Sequence, residues 1–411
     1  MRRVVITGIG VVSPLGSDSR SFIANLLEGR SGVRRVCFPG AAPSAIPVAA
    51  PVDFDPSPHF PPTQGAQLDR ATQFAVVAAR QAVAQSALEP DDPDRIGVYW
   101  GTGMGGAGTL EQSYRQFFSG PSPRLRPLTV VMAMSNAAAA QLSIQFGFCG
   151  PLMNYSTACA SSACAIGEAY RAIRFGIVDA ALAGGSEALL TPGTLCAWGA
   201  LRVAAREDAE DPSRSCKPFA RDRTGLVLGE GAAALVLESA DQACARGAPI
   251  LAEVLGYSTA ADASHLSRPD AAGESRAMRL ALQDAKLDAT QIDYVNAHGT
   301  ATLVGDTTET VALKSVFGAH APKVPVSSTK SMHGHLMGAA GAIELAASVL
   351  AMAERALPPT ANLRQPDPAC DLDYVPNTAR HDNRVRALLS NSFAFGGTNA
   401  CLVAGEYRHA R

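Results

Sequence analysis

Short apolar runs, each closing on glycine or on a polar residue with chemistry, recur from one end of this chain to the other. Val4 to Ile9, Ile96 to Trp100, Val178 to Gly184, Ile250 to Leu255, Ile292 to Ala297, Val324 to Ser328 and Val385 to Ser390 all read this way. The first, Val4 to Ile9, reads as a strand covered on both faces, as in a parallel or mixed sheet. Helix patterns run between them at Ser19 to Leu27, Ala71 to Ala87, Ala138 to Phe146, Ala271 to Ala285, Thr307 to Phe317 and Gly338 to Arg355. The alternation stops near Gly247 to Pro249 and begins again. An α/β fold of two similar βα-rich halves, residues 1–249 and 250–411, is therefore expected. At 411 residues the chain is also longer than one ordinary core accommodates. The proline-rich stretch from Phe38 to Gln64 reads as a long surface loop, Pro121 to Pro127 as another, and Glu207 to Arg223 as charged and irregular.

Composition removes several classes of function. A net charge of −2 with no basic block argues against nucleic acid or an anionic membrane as partner. No apolar run is long enough to span a membrane, and glycines and Pro14 break the apolar N-terminal run that resembles a signal peptide. The nine cysteines are odd in number and form no C-x-x-C pair. That predicts neither a zinc site nor a disulfide framework, no metal, and a reducing cytoplasm. Gly8-Ile-Gly10 lacks the third glycine of a dinucleotide fingerprint, and Gly101-Thr-Gly-Met-Gly-Gly106 lacks the lysine of a phosphate loop. The second loop is instead expected to permit close backbone approach.

One cysteine stands apart. Ser156-Thr-Ala-Cys159-Ala-Ser-Ser162 lies between a short extended run and a helix of small residues that runs to about Phe175. At the positive end of that helix Cys159 is expected to be a depressed-pKa nucleophile. Three further motifs sit at strand ends: Asn296-Ala-His298-Gly-Thr300, Lys330-Ser-Met-His333-Gly-His335 and Asn391-Ser-Phe393-Ala-Phe395-Gly396-Gly. Strand ends facing one crevice are where α/β sheets gather a site from distant sequence.

Together these motifs resemble the β-ketoacyl-acyl-carrier-protein synthases, and more closely their elongating Cys-His-His type. The resemblance covers essentially the whole chain. It implies the thiolase fold, two pseudo-symmetric βα halves in a five-layered α-β-α-β-α sandwich, usually dimeric. It implies decarboxylative condensation of a malonyl thioester with an acyl group held on Cys159, extending the chain by two carbons. By matching position, the N–H groups of Cys159 and Phe395 form an oxyanion hole, with Phe393 and Gly396 in the gating turn. His298 and His335 assist decarboxylation. Lys330 pairs with Glu344 to fix the site, and Asp306 and Glu309 orient the His298 loop or serve as ordinary helix-start acids. Met104 and Trp198 match positions lining the acyl tunnel, and Arg202 a contact for acyl carrier protein. No intrinsic cofactor is implied; the phosphopantetheine arm comes with the carrier. The implied partner is a second copy or a related ketosynthase-like chain.

His333 reads as a spacer and Cys164 as a core residue. Ala394 replaces the usual glycine between the two phenylalanines and is expected to stiffen the turn, and Ala301 replaces a usual Gly or Ser. Trp198 is bulkier than expected, and Gly65 to Arg70 lacks a basic docking cluster. These departures point to a specialised acyl chain or carrier, as in a polyketide or aryl-polyene pathway. Three other readings compete. A biosynthetic thiolase needs a second cysteine, for which Cys401 has the wrong context. An initiating condensing enzyme would carry Asn in place of His335. A non-catalytic chain-length partner would lack Cys159.

Overall fold

The computed structural model describes residues 1–37, 46–89, 91–119 and 124–408. Ten strands form one continuous sheet: β1 (Val4–Val12), β2 (Ile96–Gly101), β3 (Leu152–Tyr155), β4 (Ala180–Glu187), β5 (Gly231–Ser239), β6 (Ala252–Ala261), β7 (Tyr294–Asn296), β8 (Val326–Ser327), β9 (Ala387–Phe393) and β10 (Thr398–Gly405). Their spatial order is β8-β7-β9-β10-β6-β1-β5-β4-β2-β3. Read outward from its centre, each side repeats one plan. The first strand of a half pairs antiparallel with its fifth, the fifth antiparallel with the fourth, and the fourth, second and third lie parallel. The halves meet where Val4, Val5 and Ile6 pair with Val254, Glu253 and Ala252.

Helices complete the layers. Of the longer ones, α1 spans Ser19–Leu27, α2 Arg70–Ser86, α3 Ala137–Phe146, α4 Ser161–Arg174, α5 Ala271–Ala285, α6 Leu303–Phe317 and α7 Ala340–Ala353. On one outside face α2 covers β1, β5 and β4, and on the other α5 covers β6 and β10. Between the two half-sheets α4 packs on α7, with α4 against β2 and β4 and α7 against β9 and β5. The order is α-β-α-β-α. The largest apolar cluster lies in this middle layer and includes Cys159, Ala163, Ile166, Ile343 and Ala347.

Three expectations need correction. The stretch from Phe38 to Gln64 is not simply a surface loop. Residues 38–45 lie outside the described residues, but beyond them Ile46, Val48, Ala49, Ala50, Val52 and Phe60 are buried. Val48–Ala49 pairs with Arg34–Arg35 and Pro62–Gly65 forms a helical turn, because apolar side chains alternate with the prolines. Second, a strand that the run of apolar stretches did not include follows Val385 to Ser390. The glycine turn at 396–397 reverses the chain into β10, whose Asn399-Ala-Cys-Leu-Val run pairs antiparallel with β9. Third, the helix at Pro192–Ala200 went unread because its small and aromatic residues show no amphipathic stripe. The exposed connection read at 121–127 falls partly outside the described residues.

Gly8 and Gly10 now have a physical role. A Cβ on Gly8 would lie 2.0 Å from the Ala82 carbonyl oxygen, and one on Gly10 1.8 Å from that of Ala78. These glycines let α2 lie against β1 at backbone distance. Replacing Gly10 with Ala must push helix and strand apart, at a cost of about 3 kcal/mol. Scanning calorimetry is expected to show a Tm lowered by several degrees.

Candidate active site

Cys159 lies on a single 3-10 turn, Ala158–Ala160, that leads directly into α4. The preceding Ala158 has φ +48°, a left-handed conformation costly for a residue with a Cβ. Ser161 holds this turn: its hydroxyl donates to the Ala158 carbonyl at 2.7 Å and accepts the Thr157 N–H at 2.9 Å. His335 enters from the other half. It follows Gly334, whose φ is +70°, and its backbone N–H donates to Val227 O at 2.7 Å. His335 Nε2 thereby comes 3.0 Å from Cys159 Sγ. His298, just past β7, stands edge-on to His335 with ring centroids 5.3 Å apart. One ligand-type atom from each of Cys159, His298 and His335 lies within 4.8 Å of the others.

Burial sets the charge states. Cys159 is 4 % exposed, and desolvation pushes its thiol up to about 12, against the opposing pull of the Lys330 charge and the Phe395 N–H. The position before α4 alone suggests a thiolate. Burial acts in the opposite direction and raises the thiol pKa, which favours a resting thiol. Both His298 and His335 are held well below the usual imidazole range, first by burial and then by Lys330. Neither Nδ1 has a hydrogen-bond partner among the described residues.

The carboxylates around the site hold backbone. Glu309 accepts the N–H groups of His298 at 2.9 Å and Gly299 at 2.7 Å, and an Asn391 side-chain N–H at 3.1 Å. Asp306 accepts the Ala301 N–H at 3.0 Å and the Phe219 N–H at 2.7 Å. Ala301 itself sits at φ +66°, so Asp306 anchors a strained turn. Lys330 and Glu344 form an ion pair with side chains 1 % and 0 % exposed, and burial pushes the Glu344 carboxyl up to about 7. His333 has both ring nitrogens engaged, Nδ1 donating to Gly334 O at 2.7 Å and Nε2 accepting from Thr329 Oγ1 at 2.9 Å. It is a satisfied core residue, as is Cys164, which accepts from Thr157 Oγ1.

A cavity of about 350 Å³ leads from the surface to Cys159, His298 and His335. Trp198, Arg202, Phe393 and Phe395 line it, with Arg202 exposed. The Trp198 and Phe395 rings stack with centroids 6.0 Å apart and planes 19° apart, and Phe393 packs edge-on to His298. Met104 is not among the lining residues. It is 49 % exposed, on a loop whose Gly105 abuts Ser135. Cys401 is fully buried in β10, its thiol donating to Asn391 Oδ1 at 3.3 Å, and it lines no part of the cavity.

The sequence reading missed Glu187. Its carboxylate accepts the N–H groups of Gly103 at 2.6 Å, Gly338 at 2.9 Å and Met104 at 3.2 Å, joining the glycine loop after β2 to the turn before α7. A Cβ on Gly338 would lie 2.2 Å from Gly103 N. The only signal was an acid closing the Gly184-Gly-Ser run. Buried Arg223 was also missed; it donates to the carbonyls of Thr302 and Leu303 beside the His298 loop.

Residues 1–243 match the β-ketoacyl synthase N-terminal domain and residues 251–364 its C-terminal domain. The chain belongs to the β-ketoacyl synthase family. It is 42 % identical over 411 residues to 3-oxoacyl-[acyl-carrier-protein] synthase 2 of Staphylococcus aureus strain N315, covering 99 % of each chain. It is 44 % identical over 404 residues to nodulation protein E of Rhizobium sp. strain N33, covering 98 % of each. The solved ishigamide ketosynthase/chain length factor superposes with a TM-score of 0.90 at 36 % identity, over 99 % of this chain and 100 % of that one.

Two outcomes follow from the charge states. Alkylation of Cys159 by iodoacetamide, followed by intact mass, should accelerate steadily from pH 7 to pH 10. A plateau in that range would mean a thiolate at lower pH. Lys330→Met strands a buried carboxyl and should cost about 3–5 kcal/mol, whereas Lys330→Met with Glu344→Leu should recover most of that loss. Calorimetric Tm values distinguish the two.

Proposed function

We propose that this chain is a β-ketoacyl-acyl-carrier-protein synthase whose nucleophile is Cys159. The observation that carries the reading is a thiol and two neutral imidazoles within 4.8 Å of one another at the floor of one cavity. In the first step Cys159 attacks an acyl thioester delivered on a carrier protein's phosphopantetheine arm. Its proton passes to His335 Nε2, 3.0 Å away, and then to the departing arm thiolate. The Phe395 N–H, aimed at the thiol, and the Cys159 N–H stabilise the oxyanion.

In the second step a malonyl thioester occupies the same cavity. His298 and His335 donate hydrogen bonds to its thioester oxygen as CO₂ leaves and enolate charge develops. At rest the Cys159 thiol donates to His335 Nε2. Once the thiol is acylated that bond is gone, and with Nδ1 unpartnered the ring can carry its proton on either nitrogen, so His335 can accept a proton in one step and donate N–H in the next. The enolate attacks the acyl-Cys159 carbonyl, the tetrahedral intermediate expels Cys159 thiolate, and the thiolate takes a proton from solvent. The product is a β-ketoacyl thioester two carbons longer. Burial and, after it, the Lys330 charge keep both imidazoles neutral, Glu344 balances Lys330, and Asp306 and Glu309 position the His298 loop. Arg202, exposed at the cavity mouth, supplies a cationic contact for an acidic carrier.

A paired chain is part of the proposal. Leu152 and Met153 on edge strand β3 are exposed, as are Met104 and, on the segment whose Ala133 carbonyl accepts the Gly106 N–H, Val130, Val131 and Met134. That apolar face suits a second copy or a related ketosynthase-like chain, which would place Met104 in a pocket closed from across the interface. The ketosynthase with its chain length factor is a precedent for the second arrangement, and with it a polyketide-type pathway. No helix among the described residues is long and apolar enough to cross a membrane, and the nine free cysteines suit a cytoplasmic setting.

Intact-mass spectrometry of the protein with acyl- and malonyl-carrier protein tests the reading. An acyl adduct on wild type, its absence in Cys159→Ala, and a carrier product two carbons longer are expected. An adduct that persists in Cys159→Ala would overturn the assignment of the nucleophile.

A further inference from the structure

Three buried polar side chains lining the cavity carry an atom with no hydrogen-bond partner among the described residues: His298, His335 and Glu274. The proposed reaction uses the two histidines. It leaves Glu274 without a role.

Glu274 sits in the first turn of α5 and is 1 % exposed, with Oε2 unpartnered. Its place in the wall is fixed by the neighbouring Gly273, where a Cβ would lie 1.9 Å from Asp262 Oδ1 and 3.0 Å from Asn399 Nδ2. Asp262 in turn accepts from Asn399 Nδ2 at 2.6 Å and donates its N–H to Gly397 O at 2.8 Å. The other acids nearby are engaged, Glu309 and Asp306 by backbone N–H groups and Asp262 by Asn399. Burial, then the charges of Glu309, Asp262, Asp270 and Asp306, hold the Glu274 carboxyl well above the carboxylate range. A carboxyl held in that direction keeps its proton to higher pH than an ordinary one and so can offer an O–H, and leaving such a group unpaired is unfavourable.

Whatever delivers an acyl group to Cys159 must thread this cavity, so the wall faces the delivering arm. A pantetheine arm carries two amides and a hydroxyl along its length. We propose that Glu274 is a specificity-determining residue that donates a hydrogen bond to an oxygen of the pantetheine arm beyond the amide nearest the thioester. The inference rests on the reading of Cys159 as acyl acceptor.

The test compares acylation of the full-length protein by hexanoyl-pantetheine and by hexanoyl-N-acetylcysteamine, which keeps only the amide nearest sulfur. In Glu274→Leu the ratio of the two rates should fall about tenfold, the loss of one buried hydrogen bond. Glu274→Gln, which retains a donor, should change it less than about twofold. Tm should hold or rise in Glu274→Leu, since an unpaired polar group is removed. An unchanged ratio, a Gln variant as impaired as Leu, or an equal loss on both substrates with a lowered Tm would overturn the proposal. If wild type takes no acyl group from either compound, the proposed function fails. Calorimetric binding of pantetheine to Cys159→Ala, with and without Glu274→Leu, then decides the Glu274 contact by itself. Tenfold weaker binding supports it and equal binding refutes it.

Discussion

Everything at this site depends on two helices of small residues lying against each other between two half-sheets. A Cβ on Gly341 of α7 would lie 2.7 Å from Ala163 Cβ and 2.8 Å from Ala163 N on α4. Larger side chains there would hold the helices apart, and with them the elements that precede them. Cys159 sits at the entrance to α4 and His335 just ahead of α7. The 3.0 Å contact between them is a consequence of helix packing and needs no flexible loop. Glu187, at the end of β4, ties the glycine loop after β2 to the turn before α7 through the N–H groups of Gly103 and Gly338.

Placing a reaction centre in that middle layer has an electrostatic cost, and the arrangement of charges follows from it. Water is excluded, so isolated ions are unfavourable. Lys330 is retained by Glu344, while Glu309 and Asp306 spend their oxygens on backbone N–H groups of the His298 loop. Buried and beside the Lys330 charge, the two imidazoles stay neutral, and burial keeps the proton on the thiol. On the proposed function, attack by Cys159 needs a proton acceptor within contact distance, and His335 Nε2 stands 3.0 Å away. A preorganised, low-dielectric site of this kind stabilises charge as it develops and carries little of it at rest.

How much of this could be read from the chain differs by residue. Strand-end motifs were legible because the sheet sets them: Cys159, His298 and His335 each follow or adjoin an apolar run, and parallel strands deliver their ends to one edge. The repeat of βα order was visible, and the strand order adds what no local pattern encodes, that each half arranges its strands identically about the β1–β6 seam. Glu187, Arg223 and Glu274 were not legible, since an acid or arginine in a turn looks solvated until tertiary packing removes its water. The thiol's protonation was misjudged for the same reason. A helix terminus is a local feature and can be read from sequence, but burial is a property of the whole fold. Gly8 and Gly10 show the converse, since a motif that suggests nucleotide chemistry is explained by helix α2 lying at backbone distance.

Ala394 and Trp198 raise the question of what moves when substrate enters. Ala394 is buried and has no left-handed φ; its N–H donates to Thr398 O at 2.9 Å and its carbonyl accepts from Gly397 at 3.0 Å. A methyl group is compatible with that conformation, so the absence of glycine at 394 does not strain the turn as it stands. The left-handed residues are Gly396 and Gly397, at φ +88° and +74°, and the Gly396 N–H donates to Leu266 O at 2.7 Å. Freedom to turn the Phe395 backbone therefore lies on its C-terminal side, while β9 and the Ala394–Thr398 bond hold the other. Against Phe395 stands Trp198, stacked on its ring. Moving the phenyl ring away from that stack gives up an aromatic contact of about 0.5–1.5 kcal/mol beyond its buried area. The bulk of Trp198 thus bears on the cavity twice, by narrowing the path beside Arg202 and by favouring the position of Phe395 in which its N–H faces Cys159.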